Sequence, residues 1–292
     1  MRRSLKLLRA AAKEEASLLL ARLEEHVGLL QAEQHVVAYS GGVDSAVVAG
    51  VVHRVHRTKA EAVLGVSPSL PRAQRELAES VARFIGIKLV QIETDEGSSE
   101  QYLENKGQAC YACKSALYRG MNRLFESVGE RGTGGSLLLY NGTNADDVRD
   151  TTRVGIVAAR EFRVASPLQE MGLTKADVRA VATELRLPNA QYAASPCLRS
   201  RLGLGVRATP PALVNVERAE LIVRSGLSSL LTPAHNLRVR HLLDNSARIE
   251  LDAELLEEAE ISGKLSDVAS AVANLGYAGV SFKIFRSGSN SV

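Results

Sequence analysis

The stretch that decides the fold is His35-Val36-Val37-Ala38-Tyr39-Ser40-Gly41-Gly42-Val43-Asp44-Ser45. Its first five residues form a short apolar run that reads as a buried strand. Ser40-Gly41-Gly42 ends the run, and Val47, Val48, Val51, Val52 and Val55 then recur at helical spacing, a helix with one apolar face. A strand, two glycines and a helix start make an anion site: the glycines let the backbone turn tightly with N–H groups inward, and the helix adds the positive end of its dipole. No lysine closes the loop, so it is not the Gly-x-x-x-x-Gly-Lys-Ser/Thr phosphate loop. The plain alternative is a strand-to-helix turn with Asp44 as a cap.

Outward from this stretch the alternation continues. Ala62 to Val66 reads as a second strand, Pro71 opens a helix, and Ile87 to Ile92 is a third strand. Cys110 to Val128 reads as a helix, Gly132–Gly135 as a loop, and Ser136 to Tyr140 as a fourth strand. After another helix, Phe162 to Leu168 is expected as a fifth strand, and Thr174 starts a helix that stops before Pro188. Strands alternating with helices imply right-handed crossovers and a parallel sheet covered on both faces. Ligands of such sheets bind beyond the carboxyl ends of the strands, where the polar segments after Tyr39, Val66, Tyr140 and Leu168 fall.

Asn189 to Pro211 carries Ser195-Pro196-Cys197, Gly203, Gly205, Pro210 and Pro211 and reads as a long loop or hinge. Beyond it, helices near 211–226 and 252–274 flank short strands near 237–241, 246–251 and 279–285, a smaller α/β domain. The expected boundaries are an N-terminal helix at 1–30, a nucleotide domain at 31–190, a hinge carrying Cys197 at 191–208 and a C-terminal domain at 209–292. The basic start resembles a transit peptide, but Glu14 and Glu15 come early, and Leu18, Leu19, Leu23 and Leu29–Leu30 suit an amphipathic helix.

Composition removes several classes. Of 292 residues, 45% are apolar and 24% charged, ordinary for a globular protein. No apolar run approaches the roughly 20 residues of a membrane-spanning helix. A net charge of +3 argues for no nucleic-acid surface, and the absence of Trp, with 4% aromatics, disfavours base stacking. Three cysteines are too few for a disulfide scaffold, so the chain reads as cytoplasmic with reduced thiols.

The remaining polar motifs bear chemistry. In Asn141-Gly142-Thr143-Asn144-Ala145-Asp146-Asp147 the two acids are either helix-start residues favoured by the dipole or part of the cleft wall. Lys114 and Arg153 are candidates for neutralising phosphate. Cys110-Tyr111-Ala112-Cys113-Lys114 places two thiols three apart near a helix start, and Cys197 lies in a polar loop with Arg199 and Arg201 close by in sequence, a setting that favours thiolate. A CxxC pair can also be inert, and a lone buried cysteine a small hydrophobe. Zinc wants four protein ligands, or three when catalytic; three thiols also suit a [4Fe–4S] cluster with one iron open. In the C-terminal region Arg238 and Arg240 alternate on one face of a strand, and Arg286 precedes a Gly-containing turn, arginine being suited to bidentate phosphate binding. Each is otherwise a solvated surface base.

The hexapeptide Ser40–Ser45 resembles the pyrophosphate loop of ATP pyrophosphatases, which cleave ATP to AMP and pyrophosphate. Together with the Cys110–Lys114 pair, the Asn141–Asp147 stretch, Ser195-Pro196-Cys197-Leu198-Arg199-Ser200-Arg201 and the tail Phe285-Arg286-Ser287-Gly288-Ser289, it makes the chain resemble LarE, the ATP-dependent sulfur transferases of nickel-pincer nucleotide synthesis. The likeness runs from about Ala32 to Asn290. It implies an adenine nucleotide alpha-hydrolase-like (Rossmann-like) domain, a smaller C-terminal domain and homo-oligomers. It implies that pyridinium-3,5-biscarboxylic acid mononucleotide is adenylated and then thiolated. Ser40, Gly41, Gly42, Val43, Asp44, Ser45, Gly142 and Asn144 would hold ATP, with Asp44 near Mg²⁺. Arg238, Arg240 and Arg286 would hold the substrate phosphate, with Arg201 and Glu220 nearer the chemistry. Such enzymes either sacrifice one cysteine, matching Cys197, or use three, matching Cys110, Cys113 and Cys197, around a [4Fe–4S] cluster; the three-cysteine set is present. The sulfur donor is open. The alternative acceptor is tRNA, as in thiolases of the same superfamily, which carry extra zinc-binding cysteines or a basic face absent from this sequence. Amide-forming synthetases of NAD or GMP need no cysteine trio, and a non-catalytic nucleotide sensor is the remaining class.

Overall fold

The computed structural model describes residues 2–129, 136–149 and 154–286, with side chains described from residue 11 and not at 126–129. The expected loop at 132–135, Arg153 and the tail residues Ser287–Ser289 lie outside the described residues. Two compact units emerge. The first comprises Met1–Val66, Arg72–Thr94 and Cys113–Ala190; the second Ser67–Pro71, Asp95–Ala112 and Gln191–Val292. The second unit thus takes in the expected hinge and two insertions from the N-terminal half.

The first unit is built on β1 (Gln34–Ala38), β2 (Ala60–Val66), β3 (Lys88–Glu93) and β4 (Leu137–Tyr140), all parallel in the order β3-β2-β1-β4. Val36 faces Glu61 on one side and Leu139 on the other. The chain winds from β1 to the β3 edge, then crosses to place β4 on the far side of β1. The switch point therefore falls between β1 and β4, where an open α/β sheet offers a crevice at its carboxyl ends. The segments leaving those two strands are Ser40–Ser45 and Asn141–Asn144.

Helix α1 (Arg2–Leu29) buries Ala16, Leu20, Leu23 and Val27, spaced by one or two turns. Leu18 and Leu29, expected on its apolar face, are exposed. Helix α2 (Val43–His56) differs from its expected single apolar face: every residue from Ser45 to Val52 is buried. The sheet covers one side, and α1 and a later helix (Lys175–Glu184) cover the other. Alanines and Gly50 allow that close approach. Helix α3 (Arg72–Ile85) buries Gln74, Ala78, Val81 and Ala82. A short α4 (Glu100–Leu103) precedes α5 (Ala109–Gly129). From Cys113 onward α5 belongs to the first unit, where Leu117 meets Gly65 of β2. Helices α6 (Ala145–Arg149), α7 (Gly155–Glu161), α8 (Pro167–Glu170) and α9 (Lys175–Glu184) complete the unit, α9 opening with a Thr174–Asp177 capping box.

The expected fifth strand is corrected. Phe162 closes α7, and only Ala165 pairs with the sheet, as a single parallel bridge to Tyr140. Pro167 has no N–H to continue a ladder and instead starts α8.

The second unit holds α10 (Pro210–Gly226), an antiparallel pair of β5 (Leu237–His241) and β6 (Ala247–Leu251), then α11 (Ala253–Ile261), α12 (Lys264–Ala273) and β7 (Val280–Ile284), which joins β6 in parallel. Val223, Leu227, Leu237, Val239, Ile249, Leu251 and Val272 form its core. Gly263, at a φ of +68°, breaks the single helix expected at 252–274 into two. The segment expected as a hinge is tied down: Ala193 N–H donates to Pro233, Leu198 N–H to Ser69, Gly203 N–H to His241 and Ala208 N–H to Leu103.

One histidine pair in the first unit, His35 buried and His56 half-buried, makes its stability sensitive to acid. The imidazoles of His35 and His56 stack at 3.4 Å, and His35 Nδ1 meets the Tyr140 hydroxyl at 2.8 Å. Burial, then His56 and Lys59, lower the His35 pKa from 6.5 to about 4, against the Ala32 carbonyl, which raises it. The His56 pKa is also lowered, by burial first. Between those two values the unfolded chain binds the extra proton and the folded protein does not, so stability is full above about 6.5 and falls as the pH approaches 4. The loss is about 2–3 kcal/mol. Urea midpoints measured from pH 7.5 to 4 in wild type and His35→Gln check this: the variant has the shallower acid limb. Equal slopes would remove His35 from the account.

Candidate functional site

The strand-to-helix loop at the switch point is specified by packing. Gly41 has a φ of +73°, and a Cβ there would stand 2.6 Å from Ala78 Cα. Gly42 is the N-cap of α2. Ser45 Oγ donates to the Gly42 carbonyl (3.0 Å) and accepts from Ser40 N–H (3.2 Å), closing the loop on itself. Gly142 comes from the other side of the switch: a Cβ on it would lie 2.6 Å from Ser45 N and 2.9 Å from the Asp44 carbonyl carbon. The two segments read separately in the sequence are thus one surface.

Asn144 joins them. Its Nδ2 donates to Asp44 Oδ1 at 2.9 Å, while its Oδ1 accepts from the N–H groups of Asp146 and Asp147, capping α6. Burial raises the Asp44 pKa, the Asn144 hydrogen bond opposes this, and Asp147 raises it further. Asp146 accepts from Lys175 N–H at 2.8 Å, and Asp147 lies 3.8 Å from Lys175 Nζ. Both acids therefore act as helix-start residues, and Asp147 also acts on Asp44. Lys114 is half-buried on α5.

Two residues not read from the sequence support the loop. Gln74 Nε2 donates to the Ser40 carbonyl at 2.7 Å, and Asn189 Nδ2 to the Gly41 carbonyl at 2.9 Å. Gln74 announced itself as a polar residue on the buried face of α3; Asn189, after Pro188, carried no such signal.

In the second unit, Cys110 is exposed in the first turn of α5, and Cys197 is the half-buried N-cap of a short 3-10 turn, Leu198–Arg201. Arg199 links these segments, donating to Cys110 Sγ at 2.8 Å and to Asn105 Oδ1 at 3.0 Å. Arg201 is fully buried. It donates to Glu220 Oε1 at 2.9 Å, to the carbonyls of Pro196 and Cys197 and to Ser200 Oγ. Its guanidinium thus holds the backbone of the Cys197 turn, and Glu220 is its counter-ion.

Arg238 and Arg240 are buried on the face of the sheet opposite the core. Arg240 pairs with Glu250 at 2.9 Å and donates to the Ser200 carbonyl at 2.6 Å. Among the described residues Arg238 has no carboxylate within salt-bridge distance, though the Glu220 carboxylate acts on it electrostatically; its guanidinium donates to the carbonyls of Leu237 and Ala194 and lies 5.3 Å from the Phe285 ring centroid. Burial, then Arg201, lowers its pKa to about 10. Three buried guanidiniums, of Arg201, Arg238 and Arg240, thus share two buried carboxylates, of Glu220 and Glu250. That surplus makes the cluster a place for an anion. Arg286 is exposed.

Cys113 belongs to the first unit and is half-buried. Among the described residues no three His, Cys, Asp or Glu side chains converge in a geometry that holds a metal ion. The three thiols have the chemistry of a cluster ligand set. Nor is any described helix long and apolar enough to cross a membrane.

A parallel sheet in the order β3-β2-β1-β4, with two glycine-bearing segments meeting at its switch point, defines an adenine nucleotide alpha-hydrolase-like protein of the Rossmann-like class. No family model matches the chain. An uncharacterized protein of Synechocystis sp. is 35% identical over 258 residues, 88% of this chain and 90% of that protein. The pyridinium-3,5-bisthiocarboxylic acid mononucleotide synthase of Lactiplantibacillus plantarum is 30% identical over 217 residues, 74% of this chain and 73% of that protein. An uncharacterized protein of Methanocaldococcus jannaschii is 24% identical over 236 residues, 80% of this chain and 84% of that protein. The chain belongs to the LarE family.

Proposed function

We propose that this protein is an ATP-dependent sulfur transferase that converts a carboxylate of pyridinium-3,5-biscarboxylic acid mononucleotide to a thiocarboxylate. The observation that carries this reading is the match, over most of both chains, to a protein named for the bisthiocarboxylic product. The site chemistry supports it. In the first unit Ser40, Gly41, Gly42, Val43, Asp44 and Ser45 cradle the β- and γ-phosphates of ATP at the start of α2. Gly142 admits the close approach, and Asp44, held by Asn144, would hold Mg²⁺, which would neutralise phosphate charge. In the second unit Arg238, with Arg240 and Arg286, receives the phosphate of the mononucleotide.

The substrate carboxylate oxygen attacks the α-phosphorus, pyrophosphate leaves, and an acyl-adenylate forms. A sulfur nucleophile then adds to the acyl carbon and AMP departs. With Cys197 as the source, its Sγ bonds to the acyl carbon; loss of the Cα proton and cleavage of Cβ–Sγ release the thiocarboxylate and leave dehydroalanine. In the three-cysteine variant of the proposal, Cys110, Cys113 and Cys197 would hold a [4Fe–4S] cluster, which would supply the sulfur as sulfide in place of the Cys197 thiol. The protein acts as a homo-oligomer in the cytoplasm.

The test is product analysis of anaerobically purified protein with iron and sulfide counted. The expected result is AMP and pyrophosphate, formed in response to the pyridinium nucleotide. ADP and phosphate, or AMP release driven by tRNA or by ammonia, would overturn it.

A further inference from the structure

We infer that Gln74 and Asn189 form a two-sided amide clamp that aims the N–H groups of the Ser40–Ser45 loop at a bound pyrophosphate group. The inference deepens the proposed function and rests on its reading of that loop.

The argument begins with peptide geometry. There are no cis peptide bonds in the described chain, so each C=O points opposite to the N–H of the same peptide unit. Holding the Ser40 carbonyl therefore fixes the Gly41 N–H on the other side, and holding the Gly41 carbonyl fixes the Gly42 N–H, whose long 3.4 Å contact to Ser40 Oγ a bound anion would replace. These two carbonyls are the ones that the amides of Gln74 and Asn189 take, at 2.7 and 2.9 Å. Glycine makes such a clamp necessary, because a peptide flanked by Gly41 and Gly42 turns over at little steric cost. Turned over, it would present a carbonyl oxygen to an anion.

The two donors come from separate elements, α3 and the segment after α9, and both side chains are buried, at 7% and 1% exposure. Asn189 is not there for a saturated hydrogen-bond network: among the described residues its buried Oδ1 has no partner. A buried acceptor left unmet is a stability cost that a leucine of similar volume would not carry. The amide is thus poorly explained by packing and well explained by the one bond it makes to the loop.

Isothermal titration with magnesium pyrophosphate, alongside thermal melts, separates this role from a structural one. Wild type is expected to bind pyrophosphate. Asn189→Leu and Gln74→Met are each expected to bind about tenfold more weakly or worse, the loss of one hydrogen bond of about 1.4 kcal/mol, with melting midpoints within about 4 °C of wild type. Asn189→Ala removes the donor without added bulk or charge and gives the same loss, which covers the case that the leucine packs badly. Variants that bind pyrophosphate as wild type does overturn the clamp. So does a loss of affinity that only accompanies a matching loss of stability in all three. Failure of wild type to bind pyrophosphate instead overturns the loop reading itself.

Discussion

Cys197→Ala is expected to abolish thiocarboxylate formation under either of the proposed sulfur chemistries, and to do so without unfolding the turn that carries the thiol. The turn is held by its backbone: Arg201 takes the carbonyls of Pro196 and Cys197, and Ser200 Oγ donates to the Cys197 carbonyl at 2.7 Å. Truncating a half-buried thiol leaves those bonds in place, so the melt changes little and the loss is chemical. Cys110→Ala and Cys113→Ala then separate the two chemistries. A cluster needs all three thiolates, so each variant lacks cluster absorption, iron and multiple turnover. A sacrificial cysteine needs Cys197 alone, which loses the mass of hydrogen sulfide after one turnover while the other two variants stay active. The Arg199–Cys110 contact sharpens the comparison, because Cys110 must give it up to bind iron. Full activity in Cys197→Ala would defeat both mechanisms and the proposed function with them.

The sheet was legible because its signals are local. Apolar runs ending at Tyr39 and Tyr140 are strand-length, and the glycines that follow mark where the chain turns. That Gly142 sits against Ser45 was not legible, since it depends on β4 crossing to the far side of β1. The fifth strand failed for a reason the sequence did contain: Pro167 cannot donate to a ladder. The arginines show the opposite limit. Alternation in β5 told that Arg238 and Arg240 share a face, but not that the face is buried or that Glu250 pairs with Arg240. Arg199 and Arg201, both expected to act on Cys197, diverge, one reaching Cys110 and the other Glu220. A spacing of two in a 3-10 turn sends side chains to different sides, and which side meets a carboxylate is a tertiary fact.

Glu220→Ala is expected to destabilise the second unit by about 3–5 kcal/mol, the cost of leaving a buried charge unpaired. Arg201 is wholly buried and Glu220 nearly so, with contacts of 2.9 Å from Nε and 3.4 Å from Nη2. The carboxylate also accepts Val239 N–H at 3.2 Å, an outward-facing donor of edge strand β5, so its removal orphans two groups. Arg238 and Arg240 nearby add to the uncompensated charge. At about 2–4 °C per kcal/mol the transition of this unit falls by roughly 10 °C. The double variant Arg201→Met, Glu220→Leu removes both charges and recovers part of that loss, because a buried ion pair is often no better than an apolar pair of similar volume. It does not recover activity: the carbonyls of Pro196 and Cys197 have lost their donor, and the Cys197 turn is no longer held. Thermal melts and single-turnover sulfur transfer on both variants read these quantities separately. A Glu220→Ala protein as stable as wild type would show that Arg201 is hydrated and would remove the ion pair as the support of the Cys197 turn.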